Sequence, residues 1–131
     1  MKLMVCYDGS NVAADAVKLA RKRAEMYGAD LIVIKALPQS PELKFEDIQR
    51  EEVSLQGIAK EFLSDSKAPY ETHAVVTNMS PGEEIVGFAE RNEVGEIVIG
   101  IRKRSKVGKL VFGSTAQFVI LNAHCPVVSI R

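Results

Sequence analysis

Glu96-Ile97-Val98-Ile99-Gly100 is a short apolar run closed by a glycine, and Gly113-Ser114-Thr115 opens a helical pattern after the segment from Ile101 to Phe112. This stretch, continued by an apolar run from Pro126 to Ile130, reads as strand, glycine-bounded loop, helix and strand. The glycine loop has the chemistry of a phosphate cradle. Glycines let a backbone approach an anion closely, and the first free N–H groups of a helix, with the hydroxyls of Ser114 and Thr115, bind phosphate oxygens. Arg102, Lys103, Arg104, Lys106 and Lys109 fall within the same loop and deepen the positive field around whatever binds there.

Working outward, the same alternation fills the chain. Leu3 to Tyr7 reads as a buried strand, and Ala13, Ala16, Val17, Ala20, Ala24 and Tyr27 recur at helical spacing from Asn11 until Gly28 stops the helix. Leu31 to Leu37 is a second strand, ended by Pro38 and Pro41, and a long helix follows from Phe45 to about Ser66. Glu71 to Val76 is a third strand. Ser80-Pro81-Gly82-Glu83 has the form of a capped helix start, and that helix runs to about Arg91. Strands of continuous apolar residues alternating with helices imply an α/β, doubly wound parallel sheet covered on both faces. With five strands in the order 3-2-1-4-5, the strand order reverses between the first and fourth strands, where such sheets bind ligands. The turns there are Asp8-Gly9-Ser10 and the glycine loop, so both cues point to one crevice.

The 131 residues suit one domain, 1–131, with a real hydrophobic core. Basic and acidic side chains number 17 each, so no bulk charge favours nucleic acid or a membrane surface, and the basic loop lacks the interleaved aromatics of a single-strand platform. The longest apolar runs, such as Leu31 to Ile34, are far below the roughly 20 residues a bilayer crossing needs. A cytoplasmic protein is the expectation. Cys6 and Cys125 lack a C-x-x-C partner and are expected to be reduced thiols, while His73 and His124 have no spacing that would build a triad and are expected to be structural.

Several segments together resemble the universal stress protein family over essentially the whole chain. They are Tyr7-Asp8-Gly9-Ser10, Pro81-Gly82-Glu83-Glu84-Ile85, Ile97-Val98-Ile99-Gly100, Gly113-Ser114-Thr115 and His124-Cys125-Pro126-Val127-Val128-Ser129-Ile130. The family's nucleotide-binding members carry a glycine, two residues, a second glycine, nine residues, then glycine with serine or threonine. Here Gly100 and Gly113-Ser114 match, while Lys103 stands at the middle glycine. The resemblance implies a Rossmann-like site for ATP, or for ADP or AMP, with Mg²⁺ bridging the phosphates. Asp8, at the end of the first strand, would lie near ribose and adenine, with Tyr7, Gly9 and Ser10 beside it. Ala36 would meet the adenine edge, Gly100 the ribose or first phosphate, and Gly113, Ser114 and Thr115 the terminal phosphates, with Arg102 and Lys103 in reach. The family's aspartate before the fourth strand is replaced by Gly95-Glu96. The resemblance also implies a homodimer through strand 126–130 and an unidentified protein partner.

Other readings stand beside this one. The glycine loop could be a solvated connection whose Gly113-Ser114 only caps a helix. Asp8 could form an Asx turn or cap the first helix, and Met79 is a candidate wall of the crevice. A nucleotide-free homodimeric scaffold, with Lys103 marking loss of the site, is the alternative function. A weak ATPase is the third, for which Asp8 is the only candidate base. A receiver-type phosphoacceptor is disfavoured because Thr77-Asn78-Met79 follows the third strand.

Overall fold

The computed structural model describes residues 1–102 and 113–131. The chain runs β1 (Lys2–Cys6), α1 (Asn11–Tyr27), β2 (Asp30–Pro38), α2 (Phe45–Leu63), β3 (Tyr70–Thr77), α3 (Pro81–Arg91), β4 (Glu96–Gly100), α4 (Ser114–Asn122) and β5 (Val127–Ile130). The sheet order is β3-β2-β1-β4-β5, and every neighbouring pair is parallel. The doubly wound architecture expected from the apolar runs is the one observed.

Strand parity divides the core in two. Leu3, Val5, Leu31, Val33 and Val98 pack against Ala16, Val17, Ala20 and Ala24 of α1 and Leu55, Ala59 and Leu63 of α2. Met4, Ile32, Ile34, Ile97 and Ile99 face the other way, onto Ile85, Phe88 and Ala89 of α3 and Ala116 and Val119 of α4. Successive strand side chains point to opposite faces, so a strand covered on both sides must be apolar throughout. That is why these segments do not alternate.

Small residues bring α1 close to the sheet. A Cβ placed on Gly100 would lie 2.9 Å from the Val12 carbonyl oxygen, so only glycine fits where β4 ends against the first turn of α1. The same device joins α3 to α4, where a Cβ on Gly82 would come within 2.9 Å of the Phe118 Cβ.

The helix ends follow local chemistry. The Ser10 Oγ accepts from the Ala13 N–H at 3.2 Å and caps α1, and Gly28 closes that helix in the left-handed region at φ 64°. The Ser80 Oγ accepts from the Glu83 N–H at 3.2 Å and donates to the Glu83 carboxylate at 3.0 Å, with Pro81 in the first helical position. Glu96, the charge-conserving replacement noted in the sequence, is buried at the start of β4 and accepts both Arg23 Nε (2.8 Å) and Nη2 (2.7 Å). Removing Arg23 would strand a buried carboxylate, a loss of about 3–5 kcal/mol. This pair holds α1 to the sheet at the pole opposite the carboxyl ends of the strands. His73 packs its ring 5.1 Å from that of Phe88, and His124 lies exposed beyond α4.

Candidate functional site

The carboxyl ends of β1 and β4 border a cavity of about 440 Å³, within the range of sites that hold small molecules. Of the residues named from the sequence, Asp8, Ala36, Gly100, Arg102, Gly113, Ser114 and Thr115 line it. Tyr7, Gly9, Ser10 and Met79 are not among its described walls. Tyr7 leans on the opposite core layer and donates its N–H to the Ile34 carbonyl at 2.9 Å. Gly9 makes the turn at φ 88°, and Ser10 serves α1 as its cap. Lys103, Arg104, Lys106 and Lys109 lie outside the described residues.

Cys6, Ala13, Pro81, Ile85, Ile99 and Ala116 complete the wall, and the sequence reading missed them as site residues. Their only mark is positional and needs the packed sheet to be read. Cys6 and Ile99 are late residues of strands in the α3/α4 layer, and Pro81 and Ile85 stand one turn apart on α3. With Ala36 they give the cavity an apolar side suited to a flat ring.

The other side is polar and cationic. Gly113 is the N-cap of α4 and offers no side chain to cap it, which places Ser114 in the first helical position and not at the cap. The first-turn N–H groups of α4 therefore look for an acceptor beyond their own helix. They carry the positive end of the helix dipole. Arg102, just past β4, adds a guanidinium.

Asp8 caps no helix; it forms an Asx turn. Its Oδ1 accepts from the Ser10 N–H at 3.0 Å and the Ser10 hydroxyl at 2.6 Å, and its Oδ2 accepts from Arg102 Nη2 at 2.8 Å. Burial pushes the Asp8 pKa up, but the Ser10 and Arg102 bonds outweigh it and hold the carboxyl below its ordinary range. Asp8 is an anion at neutral pH. The neighbouring Cys6 is pushed up to about 12, first by burial and then by the Asp8 charge, so its thiol stays protonated at neutral pH. Among the described residues no group of three His, Cys, Asp or Glu side chains could hold a metal ion.

The profile of the universal stress protein family matches residues 1–131. This chain belongs to the universal stress protein family. It is 31% identical over 134 residues to a universal stress protein of Thermus aquaticus, covering 98% of this chain and 97% of that one. The structure of a universal stress protein from Archaeoglobus fulgidus superposes with a TM-score of 0.85 at 33% identity, covering 100% of this chain and 93% of that one. A universal stress protein of the same organism in complex with dAMP gives a TM-score of 0.83 at 32% identity over 100% of this chain and 98% of that one. The family assignment and the parallel five-stranded fold therefore rest on sequence and structure alike.

Proposed function

We propose that this chain binds an adenine nucleotide, ATP foremost, in the cavity between β1 and β4, and acts as a ligand-dependent regulatory module. The observation that carries this reading is the convergence of Gly100, Arg102 and the uncapped start of α4 on one cavity whose far wall is apolar. A flat base suits the apolar side, and a phosphate chain suits the helix start and the guanidinium. The dAMP complex of the Archaeoglobus fulgidus relative supports an adenine nucleotide over other anions. Mg²⁺, where present, would ride on the phosphates, since the described residues offer it no cluster of protein ligands.

Asp8 is the only carboxylate among the described lining residues, and Ser10 and Arg102 already hold it. It is poorly placed to activate a water, so hydrolysis is at most slow. The module works instead by changing the surface it shows a protein partner when the site fills.

β5 ends the described sheet, with Val127, Val128 and Ile130 half-buried and Leu121 of α4 72% exposed. An open edge with apolar side chains invites pairing with a second copy, and we assign it a homodimer. Light scattering is expected to show a dimer, and Val128→Pro a monomer or aggregate; a monomeric wild type would sink the assignment. No helix among the described residues is long and apolar enough to cross a membrane, which accords with the cytoplasmic placement we propose.

Calorimetric titration of nucleotide-stripped protein with ATP, ADP and AMP, with and without Mg²⁺, tests the nucleotide reading. The expected result is a roughly micromolar Kd for ATP. Silence with every nucleotide would reject it and leave the nucleotide-free dimeric scaffold.

A further inference from the structure

Asp8 and Arg102 stand 94 positions apart in sequence, leave the ends of adjacent strands and meet at the cavity at 2.8 Å. The family resemblance gives Asp8 to the ribose and adenine of a ligand. Here both of its oxygens are taken: Oδ1 by the Ser10 N–H and hydroxyl, Oδ2 by Arg102. Asp8 is the only hydrogen-bond partner of Arg102 among the described residues, which leaves most of the five guanidinium donors for another acceptor.

The pair is easily opened. Its side chains are 46% and 57% exposed, so solvent screens their attraction and little is lost when they separate. A phosphate carries more charge than a carboxylate and fits the planar guanidinium fork as well. Asp8, once released, keeps both bonds from Ser10 and stays anionic, and its charge then opposes the phosphate that displaced it.

We propose that Asp8 is a resident counter-anion that occupies Arg102 in the empty cavity, that the nucleotide phosphate takes the guanidinium over, and that Arg102 is the specificity-determining residue reading ligand charge. The inference rests on the nucleotide reading above. It gives Asp8 a role as competitor before the phosphate arrives, leaves the released Oδ2 free for the sugar, and makes the site a discriminator of phosphorylated from unphosphorylated nucleosides. A weak anion such as a free carboxylate gains nothing by replacing Asp8, whereas a multiply charged phosphate does.

The test is the ratio of the adenosine Kd to the ATP Kd, by calorimetry, for wild type, Asp8→Asn, Arg102→Gln and the double variant. Asparagine keeps an oxygen for the Ser10 bonds, so the Asx turn survives while the competing charge is removed. Asp8→Asn is expected to widen the ratio about threefold to tenfold, Arg102→Gln to narrow it about tenfold, and the gain from Asp8→Asn to shrink in the Arg102→Gln background to the part that direct repulsion of the phosphate supplies. A ratio that narrows or stays put in Asp8→Asn overturns the proposal; an equal loss of both ligands would make Asp8 a sugar ligand and no competitor. Wild type that binds no ATP rejects the nucleotide reading and this inference together. Wild type that binds ATP, with Asp8→Asn unresponsive, rejects this inference alone.

Discussion

A Cβ on Gly100 would lie 2.9 Å from the Val12 carbonyl oxygen, whereas one on Gly113 would meet nothing within 4 Å among the described residues, although both glycines border the same cavity. Gly113 also has an extended backbone, φ −64° and ψ 152°, that any residue adopts. The packing of the described residues thus accounts for the first glycine and gives the second no such reason. A missing side chain at the start of α4 makes sense as room for a ligand pressed against the helix N–H groups. The two ends of the loop share a residue type and differ in cause.

That contrast can be broken most forcefully at Gly100. Valine there would drive two γ-carbons into the first turn of α1, and chemical denaturation is expected to show a loss of about 3 kcal/mol. An unaltered midpoint would mean that α1 is not held as described. Gly113→Ala is the complementary change. Its stability should stay within about 0.5 kcal/mol of wild type while ATP binds roughly tenfold more weakly, about 1.4 kcal/mol. Equal losses of stability at both glycines would erase the distinction between them.

Smaller effects sharpen the picture of the β1 turn. Ser10→Ala removes the α1 cap and the hydroxyl bond to Asp8 while leaving the backbone N–H bond in place, with an expected cost of about 1 kcal/mol in a urea titration. The acid response is the smallest. Asp8 has a folded pKa below its ordinary value of 3.8, so the unfolded chain binds its proton first. Its contribution is fully present above the unfolded value and lost as pH falls through the folded one. The stability gap between wild type and Asp8→Asn should therefore close as the pH drops below that range; a gap constant with pH would show that the charge of Asp8 does not support the fold.

Most of the architecture was legible in the residues. The apolar runs Leu3 to Tyr7, Leu31 to Leu37 and Glu96 to Ile99 could be read as buried parallel strands because each had to be apolar on both faces, and Ser80-Pro81 and Gly28 announced helix ends by their own chemistry. The cavity walls were legible where a turn residue marks them, as at Asp8, Gly100 and Gly113. They were not legible where the wall is an ordinary core residue, such as Ile99, whose arrival at the end of the sheet depends on strand register, or Ile85, brought there by the packing of α3 on the sheet. The partner of Asp8 was hidden for the same reason. Only the pairing of β1 with β4 brings Arg102 to it, and no local pattern signals a contact across that distance in sequence. The capping of α1 went to Ser10 because its position, one residue before the helix, is the one whose oxygen reaches the Ala13 N–H.

The site assignment itself is tested most directly by amide ¹⁵N–¹H spectra of the protein titrated with ATP. The account predicts the largest shifts at Gly100, Gly113, Ser114 and Thr115, with Asp8 following as Arg102 leaves it. Shifts centred instead on the opposite pole of the sheet, where Lys2, Asp30 and Tyr70 line a smaller cavity of about 220 Å³, would contradict it.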